Sequence, residues 1–64
     1  MEFEKGSVYI LVIQLNNFSQ PLTFEATITS FDEDSVTFID KNGFELSYNR
    51  NVIVSSKKIR EERD

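Results

Sequence analysis

The sequence has no cysteine, histidine or tryptophan, and it has only two glycines and one proline among its 64 residues. These absences exclude disulfide bonds, thiol nucleophiles, the common Cys/His zinc sites and histidine acid–base catalysis. No apolar run approaches the roughly 20 residues of a membrane-spanning helix, and the first residues lack the basic start of a secretory signal. We therefore expect a soluble cytoplasmic protein that is not an enzyme, needs no cofactor and enters no membrane.

The short length limits the stability of a single chain. A domain of about 60 residues buries only about 60% of the surface of its unfolded chain, and such domains often depend on disulfides, metals or partner subunits. Because cysteine and histidine are absent, association with identical chains is the reinforcement that is left. We expect one domain over residues 1–64 that forms a homo-oligomer through the edges of its sheet.

The side-chain composition favours strands. Ile, Val, Thr, Phe and Tyr greatly outnumber Leu, Ala and Met, and β-branched and aromatic residues are typical of sheets. Apolar periodicity and turn formers predict five strands, over residues 8–15, 22–31, 36–40, 44–49 and 52–54. We expect these strands to form a small, strongly bent, antiparallel all-β barrel over about residues 8–56. The charged tail 57–64 has one apolar residue and is expected to fray.

Two strands and one turn carry clear local patterns. The first strand is apolar on both faces, so both faces should be covered. The second strand alternates, and its predicted core face consists of Leu22, Phe24, Ala26 and Ile28. The alternation slips at Ser30-Phe31, where Phe31 falls on the polar face, which predicts a bulge or a sharp bend. Asn42-Gly43 predicts a tight hairpin turn with left-handed backbone dihedrals.

Charge and aromatic residues limit how the chain could bind RNA. The net charge is −4, from seven Lys and Arg against eleven Asp and Glu, and an acidic surface repels phosphate in general. RNA binding would therefore depend on local stacking and on hydrogen bonds to bases. Phe18, Phe31 and Tyr48 are candidate stacking residues, although aromatic residues in a small barrel more commonly pack inside it.

The acidic group Asp32, Glu33 and Asp34 has two interpretations. Carboxylates so close together could attract a hard cation such as Mg²⁺, but their spacing matches no calcium-loop pattern. A solvated turn whose charges discourage unwanted strand pairing is the interpretation that we favour.

Two segments resemble the motifs of a known family. Residues 26–33, with a small residue, an aliphatic residue and then Phe31-Asp32, resemble the first motif of the Sm-like and Hfq proteins. Residues 46–53, with Tyr48, Asn49 and Arg50 before an apolar strand, are similar to the second motif. The resemblance covers about residues 8–56. It implies an Sm-like barrel with a short or absent N-terminal helix, since residues 1–7 are too few for the usual one.

The resemblance also implies a function and a set of site residues. In this family the fourth and fifth strands pair between subunits to form a ring, and RNA bases are held near its pore. The corresponding RNA-binding residues here are Asp32, Glu33 and Asp34 in the first motif, and Asn49 and Arg50 in the second, with Tyr48 as a stacking candidate. Ala26 replaces the usual glycine, and Glu33 and Asp34 replace neutral and aromatic residues.

The acidic charge supports an alternative of a different class. A small barrel with exposed carboxylates could be a protein-interaction module that binds a basic or RNA-binding protein. The order of the two motifs favours single-stranded RNA as the partner, whereas the net charge of −4 favours the protein module.

Overall fold

The computed structural model describes residues 3–60. Its elements are β1 (Val8–Ile13), β2 (Leu22–Phe31), β3 (Ser35–Ile39), β4 (Glu45–Asn49), a 3-10 turn (Arg50–Val52) and β5 (Ile53–Arg60). Residues 3–60 contain no α-helix, and no helix among them is long and apolar enough to cross a membrane.

The five strands form one antiparallel sheet in the order β4-β3-β2-β1-β5. The first four strands follow one another as neighbours, and β5 returns to lie beside β1. The predicted all-β class with five antiparallel strands is confirmed. The sheet is not closed, because β4 and β5 lie at its opposite edges, so the predicted barrel is not confirmed.

The core lies on one face of this bent sheet, as the alternation of side chains requires. Tyr9, Leu11 and Ile13 of β1 are buried there with Ala26 and Ile28 of β2. Val36 and Phe38 of β3 complete the strand contributions to the core. The predicted core face of β2 is confirmed at Ala26 and Ile28, while Leu22 and Phe24 are half-buried.

An irregularity in β2 lies close to the position at which the sequence predicts a break in the alternation. Residues 22–27 of β2 pair with β1, and residues 27–31 pair with β3. The register of the second pairing shifts between Ile28 and Ser30. Thr29 lies within this irregularity, and its hydroxyl donates a hydrogen bond of 3.2 Å to the Thr37 carbonyl. The irregularity therefore occurs one to two residues before the predicted position at Ser30-Phe31.

The segment before β1 covers one end of the core without forming a helix. Phe3 is buried, and its ring lies edge-on to Tyr9 at 5.1 Å between centroids. Gly6, with φ of +86°, turns the chain, and its N–H donates a 2.7 Å hydrogen bond to the Ile28 carbonyl. Phe3 is thus part of the core although it lies outside the strands.

The C-terminal segment and the hairpin turn differ from the predictions. The prediction of a frayed tail over 57–64 is wrong for residues 57–60, which continue β5 beside β1, while residues 61–64 lie outside the described residues. In the hairpin between β3 and β4, Gly43 has φ of +91°, whereas Asn42 does not have a positive φ. Asp40 receives hydrogen bonds from the N–H groups of Asn42 and Phe44, at 2.9 and 3.0 Å, so its carboxylate shapes this loop.

Candidate functional site

The turn after β2 and the chain after β4 meet at one end of the sheet. The Arg50 N–H donates a 2.8 Å hydrogen bond to the Asp34 carbonyl, and Ser35 pairs with Asn49 across the β3–β4 ladder. We call residues 31–34 together with residues 49–50 the β2–β4 corner. The structure therefore brings the predicted site residues of the two motifs together, apart from Tyr48.

Asp32 holds the turn of the corner in place. Its Oδ1 atom accepts hydrogen bonds of 2.8 Å from the backbone N–H groups of Asp34 and Ser35. These two N–H groups are the main reason why the pKa of Asp32 is lowered, and the nearby positive charge of Arg50 adds to the effect. The carboxylate is thus ionised at neutral pH and engaged with the backbone.

Asn49 begins the 3-10 turn on the other side of the corner. Its side-chain oxygen accepts a 3.4 Å hydrogen bond from the Asn51 N–H, in the manner of a helix cap. The turn ends where the Gln14 N–H donates a 2.8 Å hydrogen bond to the Val52 carbonyl, which ties it to the end of β1. These contacts fix the backbone from which the Arg50 side chain extends.

The guanidinium of Arg50 lies against two aromatic rings. Its central carbon is 5.4 Å from the centroid of Phe3 and 5.8 Å from that of Phe31, both within the range of cation–π attraction. The two rings are 6.3 Å apart. Phe3 is buried, whereas Phe31 is 38% exposed. The corner therefore presents a partly exposed ring and a planar cation side by side.

The outer part of the corner is acidic. Glu33 and Asp34 are exposed in the turn, as is Asp32, so the corner contains three exposed carboxyl groups and one cation, Arg50. The conformation of the turn is that of a surface loop shaped by Asp32. Within residues 3–60, no group of three or more potential ligand side chains is arranged to hold a metal ion.

Tyr48 lies away from the corner on the inner face of β4. Its ring stacks on Phe38 at 6.1 Å and also lies 5.9 Å from Phe24. Phe18 lies in the connection between β1 and β2 and is 45% exposed. Of the three candidate stacking residues, only Phe31 is part of the corner.

Phe3 is the member of this site that the sequence analysis missed. It lies between Glu2 and Glu4 in a segment without apolar periodicity, so neither strand nor helix patterns single it out. The signal that was available is chemical, because a large aromatic residue among charged neighbours has a strong tendency to be buried.

A separate groove of about 360 Å³ lies beside the β3–β4 hairpin, where its lining includes Ile10, Phe24, Glu25 and Lys41. None of the predicted site residues lines it.

Comparisons of the chain with known protein families, with curated proteins and with solved structures found no match in any of the three.

Proposed function

We propose that this chain is an Sm-like protein that assembles into a cyclic homo-oligomer and binds single-stranded RNA at the β2–β4 corner, without catalysis. The observation that carries the proposal is the contact between the corner's two halves. Phe31 and Arg50, which belong to the two motif-like segments, lie 5.8 Å apart from ring centroid to guanidinium carbon.

The chemistry of the corner suits a nucleobase. The partly exposed ring of Phe31 offers a face on which a base can stack, and the half-buried guanidinium of Arg50 beside it supplies a positive charge. Asn49, which is exposed beside them, has an amide that can donate to and accept from a base edge. These contacts do not need a basic surface, which agrees with the net charge of −4.

The strand order supports the assembly. β4 and β5 are the two edges of the sheet, and within residues 3–60 each pairs with one neighbouring strand. Exposed edges carry unsatisfied backbone groups that can pair with another chain. Pairing of β4 from one subunit with β5 of the next would satisfy both edges and repeat head to tail until the ring closes. In the Sm-like fold that we propose, the barrel of each subunit is such a five-stranded antiparallel sheet, strongly bent.

RNA binding is tested by fluorescence anisotropy with short U-rich and A-rich RNA at low salt. We expect binding that is weakened about tenfold or more by Arg50→Ala and by Phe31→Ala, since base stacking contributes about 1–3 kcal/mol. Arg50→Lys keeps the charge but loses the flat stacking surface, so it should also bind weakly. Lys41→Ala removes one positive charge from the hairpin tip and is the matched control. No binding by the wild type, or equal loss in the Lys41 variant, contradicts the proposal.

The acidic turn favours a second candidate function, in which the corner binds a basic protein. Asp32, Glu33 and Asp34 are exposed in a corner that contains one arginine, so a cationic partner would be attracted there. Glu33→Gln combined with Asp34→Asn separates the two functions: it should strengthen RNA binding and weaken binding of a basic partner. A pull-down with and without nuclease adds a second criterion, because partners bridged by RNA disappear after nuclease treatment.

A further inference from the structure

The cations of β5 are not equivalent in the folded chain. Lys58 forms an ion pair with Glu4 of the N-terminal segment, and Arg60 forms one with Glu25 of β2 at 3.5 Å. Lys57 makes no ion pair within residues 3–60, and it is exposed. One positive charge on the edge strand is therefore without an acidic neighbour in its own described chain.

The opposite edge of the sheet has a matching negative charge. Glu45 is the one charged residue of β4; it is exposed and makes no ion pair among the described residues. The β4 edge thus carries one carboxylate, that of Glu45, and the β5 edge carries one ammonium group without an ion pair, that of Lys57.

The two charges lie on the same face of the sheet. Lys57 pairs with Ile10 of β1, which alternates with the buried core residues Tyr9 and Leu11, so Lys57 lies on the outer face. Glu45 alternates with Leu46, which packs against the core, so it also lies on the outer face. Residues directly opposite in an antiparallel ladder share a face, and Glu45 and Lys57 therefore meet the requirement for a cross-strand pair.

An antiparallel junction would allow the two residues to face each other. In an antiparallel arrangement, the beginning of β4 faces the second half of β5, which is where Lys57 lies. A parallel arrangement would put Glu45 next to the uncharged beginning of β5 instead. Phe44 comes directly before Glu45, and Ile59 follows Lys57 by two residues; both are exposed, at 65% and 44%. By the same alternation Phe44 belongs to the face opposite to Glu45, so these two side chains are not part of the pair.

We propose that Glu45 of one subunit pairs with Lys57 of the next, and that this pair fixes the direction and register of β4–β5 association between copies of this chain. The partner is a second copy, and the inference rests on the head-to-tail assembly proposed above. Backbone hydrogen bonds between two strands do not depend on which side chains face each other. The Glu45–Lys57 pair adds a contact that does, because it depends on charge.

Charge reversal and mixing test this pair. Light scattering at micromolar concentration gives the mass of the wild type, of Glu45→Lys, of Lys57→Glu and of an equal mixture of the two variants. We expect each variant alone to associate about fivefold more weakly per junction, because like charges then face each other. In the mixture every junction between unlike variants regains a Lys–Glu pair, so association should recover. Lys5→Glu reverses an exposed charge away from both edges and should leave the mass unchanged.

The possible outcomes distinguish a failure of the proposed Glu45–Lys57 pair from a failure of the proposed assembly. If the wild type is an oligomer and both variants associate as tightly as it does, or if the mixture fails to recover, the Glu45–Lys57 pair is wrong and the assembly stands. If the wild type is a monomer over the whole concentration range, the assembly fails and the pair fails with it. Circular dichroism of each variant identifies any loss of folding, and recovery in the mixture cannot arise from unfolded chains.

Discussion

The guanidinium carbon of Arg50 lies 5.4 Å from the centre of the Phe3 ring. A residue from the segment before β1 thus supports the side chain that we propose as the main RNA contact. The β2–β4 corner consequently depends on three parts of the chain, because Phe31 approaches the same guanidinium from the end of β2.

Phe3→Ala should lower the free energy of unfolding by about 3 kcal/mol, since it removes a buried aromatic ring and leaves a cavity. Denaturant unfolding followed by circular dichroism measures the change. Phe18→Ala removes the same atoms from a half-exposed position and should cost about 0.5 kcal/mol or less. Equal losses for the two variants would show that Phe3 does not belong to the core.

Gly43→Ala should destabilise the β3–β4 hairpin by about 1 kcal/mol. The position has φ of +91°, and no atom lies within 4 Å of an added Cβ, so the cost comes from the backbone conformation alone. Gly43→Asn adds a larger side chain that tolerates this conformation better, and it should cost less than alanine. A thermal unfolding series compares the three proteins, and a larger loss for asparagine would contradict the argument.

The stability of the chain should fall as the pH is lowered from 5 to 3. The pKa of Asp32 is lowered by the N–H groups of Asp34 and Ser35, and that of Glu4 is lowered by Lys58. A lowered pKa in the folded state means that the unfolded chain takes up protons first, so the contribution is complete above the ordinary carboxyl pKa of about 4 and is lost below it.

Denaturant midpoints measured across this range check the prediction with Asp32→Asn. This variant keeps an oxygen that can accept the backbone hydrogen bonds but cannot titrate, so its midpoint should depend less steeply on pH. A variant with the wild-type slope would show that Asp32 does not contribute.

The ion pair between Glu4 and Lys58 should couple the N-terminal segment to β5 in a salt-dependent way. Its side chains are 58% and 32% exposed, so screening acts on it directly. A double-mutant cycle with Glu4→Gln and Lys58→Gln should give a favourable coupling at low salt that disappears at 0.5 M salt. Coupling that persists at high salt would mean that packing, rather than charge, connects the two residues.

The strands of the sheet are predictable because alternating apolar and polar side chains show which face of each strand is buried. Ala26 and Ile28 alternate with polar residues and are buried as expected, and the slip in this pattern near Phe31 locates the bend within two residues. The second half of β5 was not predictable in the same way. Its Ser and Lys residues resemble a solvated tail, and it is a strand because its backbone pairs with the apolar β1.

The β2–β4 corner could likewise be predicted only in part. The two motif-like segments contain Asp32 and Arg50, and the structure joins these segments through the bond between the Arg50 N–H and the Asp34 carbonyl. The contact with Phe3 could not be predicted, because no local pattern relates residue 3 to residue 50. Long-range packing of a single side chain leaves no periodic trace in a sequence.

The bend of β2 affects more than the end of one strand. Because β2 pairs with β1 up to Thr27 and with β3 from Thr27 onward, the sheet consists of two halves that share this strand only around one residue. One half ends in β5 and the other in β4, so the register shift at Thr29 lies between the two outer strands, and a bulge there changes their relative direction. In the ring that we propose, the relative direction of the two outer strands would set the rotation from each subunit to the next, so repairing the bulge of β2 should change the number of subunits in a full turn.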